Sequence, residues 1–372
     1  MKMTMIRALI GLLAGHSVCM ATSIVFPAFG TPLVTDDAIF AHHTYGERLV
    51  CLDRKSGAVR WQIKATAPIR SVCCVDSNRI AAVHADKLSM IDTSRGTNLK
   101  THDIAGVLFG RSTDGNILSL TSNHTVVCSD HDTGRRIWKH QCREQNSNVM
   151  AKIVADDLIF LAFSPRSITR LWDKREWVTM KGTNLVACLS AKAGTPLWRE
   201  PVALSTKGFG VHLQISAGQK WLLCTTDNAL RLLDRKSGKV LSRWRSEEDM
   251  DGADFWDDDL IAVCFGGIGA NTRTIRILNA PDFTRIAEFA VDAIEVASVQ
   301  VVGDVMVLHS LYRNIGVDLR SQKVIWRKGQ RHYTVKNGLL YFGEHADKKR
   351  VLGVCDPKTG RDTVIYSEIV EN

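Results

Sequence analysis

The stretch LVCLDRKSGAVRW, residues 49–61, decides how this chain is read. Apolar residues alternate up to Asp53, the turn Arg54-Lys55-Ser56-Gly57 follows, and alternation resumes toward Trp61. A period of two marks a strand with one buried face. An aspartate opening a tight turn accepts hydrogen bonds from the backbone N–H groups ahead of it. A glycine closing the turn takes up the left-handed conformation that costs other residues roughly 1–2 kcal/mol. The stretch therefore predicts a β-hairpin with a four-residue connection.

The hairpin recurs. VVCSDHDTGRRIW at 126–138 and LRLLDRKSGKVLSRW at 230–244 are close copies, and weaker ones complete a series anchored at Asp53, Asp92, Asp130, Ser190, Asp234, Asn279, Asp318 and Asp356. Glycine follows four residues on at positions 57, 96, 134, 194, 238 and 360, and is replaced by Phe283 and Gln322. An aromatic stands eight or ten residues past the anchor: Trp61, Trp138, Trp198, Trp244, Phe289, Trp326 and Tyr366. Offsets of eight and ten share one face of a strand, so a ring fills the same space from either. The second copy, with Lys100 and His102 at those offsets, breaks the rule.

A period of about 40 residues holding four short strands is the signature of a propeller blade. One such sheet cannot bury both faces alone, and stacking lets each blade cover its neighbour. Burying ~200 Å² of indole at about 25 cal/mol per Å² contributes roughly 5 kcal/mol before ordering costs. The expected fold is all-β, an eight-bladed β-propeller of four-stranded antiparallel blades, with seven blades as the alternative if the worn sixth repeat is not a full sheet. A β-solenoid has shorter turns, and a β-sandwich would not repeat the turn.

The pattern of Asp, Gly four on and Trp four further is clearest in LDRKSGAVRW, SDHDTGRRIW and SAKAGTPLW. It resembles the tryptophan-docking repeat of the PQQ-like, quinoprotein alcohol dehydrogenase-like propeller superfamily, over roughly residues 32–366. That superfamily includes quinoprotein alcohol dehydrogenases and, nearer in size, the propeller lipoprotein of the bacterial outer-membrane protein assembly machine. The positions that carry the resemblance are structural: Asp53, Gly57, Trp61, Asp130, Gly134, Trp138, Gly194, Trp198, Asp234, Gly238, Trp244, Asp318, Trp326, Asp356 and Gly360. The resemblance implies a non-catalytic scaffold for protein–protein interaction in the cell envelope, with envelope-assembly components as partners. The alternative is a quinone-dependent oxidoreductase or a carbohydrate-active enzyme on the same propeller.

Quinoprotein dehydrogenases carry a vicinal disulfide stacked on their quinone, which directs attention to Cys73-Cys74. The pair lies in IRSVCCVDSNRIAAV, a strand pattern, where neighbours point to opposite faces and must distort to bridge. The family's calcium-binding acid, amide and Asp base find no matching positions, so neither PQQ nor calcium is expected. His42-His43, and His131 near Cys128, lack the spacing that sets ligands on one metal. No GxSxG, Walker loop or GxGxxG after a strand is present. The acids Asp249, Asp251, Asp254 and Asp257 to Asp259 read as a solvated turn.

The sharpest local feature is an insertion at 163–183 in the fourth repeat. Arg166, Arg170, Lys174, Arg175 and Lys181 interleave there with Trp172 and Trp177. Arginine and tryptophan are typical interface anchors, and exposed indoles are costly unless covered. This loop is the candidate partner-binding site; the bland reading folds both indoles back onto the propeller. Smaller extensions stand at the same point of other repeats, at 266–273 and 344–350.

Lysine and arginine number 48 against 39 acidic residues in 372, a net charge of +9, but the charge is interspersed and no nucleic acid is expected. MKMTMIRALIGLLAG places Lys2 and Arg7 ahead of a run from Ala8 to Gly30 without formal charge. Residues 1–30 read as a signal peptide or signal anchor and 31–372 as the propeller. The chain is expected to be exported, periplasmic or membrane-anchored facing the periplasm, and monomeric. His16-Ser17-Val18 before Cys19 makes a poor lipidation box. Cys51, Cys128 and Cys188 sit two residues before their anchors and Cys355 one before, as apolar filler rather than a bridge framework.

Overall fold

The computed structural model describes residues 32–43, 46–104, 106–142, 147–165, 185–200, 214–226, 228–266, 271–294, 296–310, 313–329, 331, 333–346 and 349–369. Among them all regular structure is β. Eight four-stranded antiparallel sheets follow one another in chain order and make an eight-bladed β-propeller. The blades span 33–64, 69–103, 107–141, 147–200, 214–245, 250–292, 296–329 and 333–369. The worn sixth repeat is a full sheet, with strands Met250–Phe255, Leu260–Phe265, Thr272–Asn279 and Arg285–Asp292.

The chain clusters into two compact units. The middle unit holds Cys142–Ser190 and Thr195–Val301; the terminal unit holds the described residues up to Gln141, Ala191–Gly194, and those from Val302 onward. In the terminal unit the last sheet packs on the first, with Tyr341 and Leu352 against Val34, Ile39, Val50 and Leu52. Phe40, Leu49 and Cys51 on the other face of blade one meet Ile80 and Ile91 of blade two. In the middle unit Phe160, Cys188 and Trp198 of blade four meet Leu222 and Leu233 of blade five.

The recurring ring docks blade to blade. Trp61 Nε1–H donates to the Thr93 carbonyl (2.8 Å), Trp198 to that of Arg235 (3.0 Å) and Trp326 to that of Pro357 (2.6 Å), each one residue past the next anchor. The turn glycines lie directly under these rings, Gly96 under Trp61, Gly194 under Trp138, Gly238 under Trp198 and Gly360 under Trp326. Any Cβ would enter the indole, which is why glycine recurs. In the terminal unit Gly57 meets the Ile365 main chain of the last blade instead.

The second copy keeps the rule it was expected to break. The imidazole of His102 covers Gly134, and Lys100 Nζ donates to the Asp132 carbonyl (3.1 Å). Blade five divides the work similarly: Ser242 Oγ–H donates to the Pro281 carbonyl, while Trp244 joins the core that holds Phe283 and meets Phe265 edge-on at 5.8 Å. Within the turns, Asp53 Oδ1 accepts the N–H groups of Lys55 (3.1 Å) and Ser56 (2.9 Å). Phe283 (φ 57°) and Gln322 (φ 60°) adopt the left-handed conformation of the glycines they replace.

Candidate interaction surface

The anchor turns join third strands to fourth; the connections from second strands to third leave the opposite ends of the same sheets. The expected partner-binding residues Arg166, Arg170, Trp172, Lys174, Arg175, Trp177 and Lys181 lie outside the described residues. Their place in the chain is defined by the flanking strands. Leu158–Pro165 and Leu185–Ser190 are paired from Phe163↔Leu185 down to Leu158↔Ser190. The insertion thus leaves blade four at the end opposite its anchor turn. The 266–273 stretch has the same position in blade six, and only 267–270 lie outside the described residues there. In blade eight the expected 344–350 extension differs: Glu344 to Ala346 and Lys349 to Arg350 continue the paired strands Leu339–Ala346 and Lys349–Cys355. The extra residues lengthen the ladder rather than the loop.

Charged groups at these ends are largely spent on one another. In the terminal unit His43 Nε2 lies 2.6 Å from Glu368 Oε1, and Arg350 donates to His43 Nδ1 (3.0 Å). An Nδ1 that accepts from a guanidinium leaves the hydrogen on Nε2, so the imidazole beside the carboxylate is neutral. Burial, with the nearby Arg350 and Arg48, drives the His43 pKa down to about 4 against the pull of Glu368. Tyr366 donates to the same carboxylate (3.1 Å). In blade eight Arg331 grips Glu344 through two N–H groups (2.6 and 3.0 Å), reaches Asp362 (2.5 Å), and lies over the Phe342 ring at 4.1 Å. A paired, stacked guanidinium of this kind locks geometry.

In the middle unit, the acids read as one solvated turn separate into three environments. Asp257, Asp258 and Asp259 form the turn between the first two strands of blade six, and Asp258 accepts the Gln219 N–H of blade five (3.1 Å). The Asp251 side chain is buried against fully buried Arg273 (2.5 Å), with the Cys264 thiol on the same carboxylate at 3.7 Å. Burial raises the Asp251 pKa to about 7 although Arg273 opposes it. Asp254 ties three blades: it accepts from Ser216 Oγ of blade five, from its neighbour Phe255 N–H (2.9 Å) and from Val301 N–H of blade seven (2.9 Å), and burial raises its pKa. These roles are not legible in the sequence because the partners are distant in the chain, on other strands of blade six for Asp251 and on blades five and seven for Asp258 and Asp254.

Nine described cysteines are free thiols. Cys73 and Cys74 lie on the strand Ile69–Cys74; Cys73 packs with Val75, Ala81 and Val83, whereas Cys74 Sγ–H donates to the Asp76 carbonyl (3.2 Å). Among the described residues no group of three or more His, Cys, Asp or Glu is placed to hold a metal ion.

Residues 20–104 match the family model described as outer membrane protein assembly factor BamB, in keeping with the PQQ-like repeat recognised in the sequence. No curated protein matches the chain. Among solved structures, the chain is similar to dihydro-heme d1 dehydrogenase NirN in complex with DHE (TM-score 0.60, 12% identity, 90% of this chain and 74% of that one). It is also similar to a europium-containing methanol dehydrogenase (0.58, 13%, 90% and 83%). A third is the C-terminal WD40 domain of Sif2 (0.55, 11%, 88% and 93%). At such identities the likeness is one of fold, and that fold serves dehydrogenases and WD40 domains alike.

Proposed function

We propose that this chain, a β-propeller built of PQQ-like repeats, is a non-catalytic scaffold that binds protein partners in the cell envelope. The observation that carries the reading is the blade-four insertion. Paired strands, joined from Leu158↔Ser190 to Phe163↔Leu185, flank a segment of the chain with five cations and two tryptophans, on a scaffold whose repeated residues are occupied in docking blade to blade. Loops on rigid scaffolds commonly carry binding. The match of residues 20–104 to a model described as an outer-membrane assembly factor supports envelope-assembly components as partners. The uncharged run behind Lys2 and Arg7 supports export, with the propeller periplasmic or anchored facing the periplasm. The chain works in this reading as a monomer, without PQQ, calcium or nucleic acid.

The test is co-purification of partners with the tagged full chain from its own cells, compared with Arg170→Glu combined with Arg175→Glu. Loss of a specific partner at unchanged melting temperature is the expected result. Retention of every partner overturns the reading. An absorbance change on adding PQQ with calcium would return the enzyme alternative.

A further inference from the structure

Among the described residues the fourth strand of every blade has one sheet neighbour, and its other edge is unpaired. Such edges invite further strands, and proteins guard them with charge, above all lysine. Seven of the eight fourth strands obey, from Lys100 alone in Asn98–Asp103 to Lys323, Arg327 and Lys328 in Lys323–Gly329. The last, Asp362–Ile369 (DTVIYSEI), has no lysine, arginine or proline and is eight residues long. Its two carboxylates are already engaged, Asp362 by Lys328 (2.6 Å) and Arg331, and Glu368 by His43 and Arg350. The register shift between Tyr366, opposite Leu352, and Val364, opposite Gly353, brings Val364 to the side of Ser367 and Ile369. Val364 is 60% exposed and Ile369 72%, the two most exposed large aliphatics among the described residues.

Cations stand at both ends of this bare edge. Lys349 pairs across from Ile369 and is exposed, and Arg48 is 49% exposed beside Glu368; at the other end Lys358 and Arg361 are exposed. We infer that Asp362–Ile369 is a docking edge for an extended, acidic segment of a partner protein, added as a fifth antiparallel strand with apolar residues over Val364 and Ile369 and carboxylates toward the flanking cations. A second copy fits worse. Antiparallel self-pairing would set the Lys349 and Arg48 end of one copy against the Lys358 and Arg361 end of the other. Strand addition supplies main-chain hydrogen bonds, with selectivity from alternate side chains and charge. Binding at this edge stands or falls without the blade-four insertion.

The test uses the purified full chain and a labelled synthetic peptide of about ten residues, alternating valine with glutamate. Two comparison peptides replace glutamate by lysine or carry N-methyl groups on alternate amides. Fluorescence anisotropy is expected to show binding of the acidic peptide, weakened about tenfold or more by lysine and abolished by N-methylation. Hydrogen exchange should slow within Asp362–Ile369, and Val364→Lys with Ile369→Lys should remove binding at unchanged melting temperature. Three outcomes overturn the inference: equal binding of the three peptides, protection on another blade, or no binding of the acidic peptide. Self-association that Ile369→Lys abolishes would give the edge to a second copy and overturn it likewise.

Discussion

The indole of Trp61 lies across Gly96 of the following blade and donates its Nε1–H to the Thr93 carbonyl at 2.8 Å. One ring thereby covers a turn, satisfies a carbonyl and excludes any side chain beneath it. A Cβ built on Gly96, at φ 68°, would sit 2.5 Å from the Trp61 ring. Gly96→Ala is expected to lose about 3 kcal/mol, from left-handed strain and overpacking together. Gly303 has φ 58° with nothing within 4 Å of a Cβ, so Gly303→Ala should lose only about 1 kcal/mol. Urea unfolding of the two variants gives the comparison; equal losses would remove the packing role of the ring.

Gln322 holds φ 60° on an exposed turn tip, in the place where six other blades use glycine. Gln322→Gly relieves that strain and should stabilise by roughly 1 kcal/mol. Phe283 shares the backbone conformation but is buried in the core of blades five and six. Phe283→Gly should therefore destabilise by about 2–4 kcal/mol despite the relieved backbone. Denaturation midpoints of opposite sign are the expected readout.

Two buried groups titrate in opposite senses. His43, held down to about 4 in the folded chain, contributes stability that is present above pH ~6.5 and lost as pH falls through 4. Asp251, raised to about 7, contributes stability that is present below pH ~4 and lost as pH rises through 7. Between these limits the two slopes oppose each other. Asp251→Asn should unmask a steeper loss on acidification, and His43→Gln a steeper loss as pH rises. Urea midpoints measured from pH 4 to 7.5 check both; parallel profiles for the two variants would contradict the assignment.

Burial pushes the thiols of Cys51, Cys128, Cys188 and Cys224 up to about 12. At pH 8 such a thiol is about one part in ten thousand thiolate. Cys73, packed against Val75, Ala81 and Val83, is held up to about 12 in the same way, so alkylation of the native chain should be confined on the minute scale to Cys74 and any cysteine outside the described residues, with the rest reacting on unfolding. Mass spectrometry after a timed iodoacetamide pulse reads this directly. Rapid native labelling of Cys188 would contradict the burial.

The architecture was legible because its signal is local and repeated. Asp53, Gly57 and Trp61 lie within nine residues, and their spacing alone predicts hairpin, turn and docking ring. The substitutes were harder to see. His102 does the work of an indole, and Gln322 that of a glycine, because a neighbouring blade imposes the place and backbone strain is affordable on a short turn. The ion clusters were invisible for another reason: His43 and Glu368 are joined only when the last sheet meets the first, and Asp254 finds donors on two other blades. The bare edge of Asp362–Ile369 could have been read from its missing lysines, but only once the fourth strands were aligned. The insertion proposed to bind partners remains a feature of the sequence, bracketed by the strands Leu158–Pro165 and Leu185–Ser190.

Docking between successive sheets joins the end of the chain to its beginning, through Gly57 beneath the Ile365 main chain and the shared core around Tyr341 and Ile39. Native-state hydrogen exchange of Gly57→Ala reads this join. If the two blades are docked in this way, exchange accelerates together in Arg48–Lys64 of the first blade and Asp362–Ile369 of the last. Acceleration confined to the first blade, with the last strand unchanged, would contradict it.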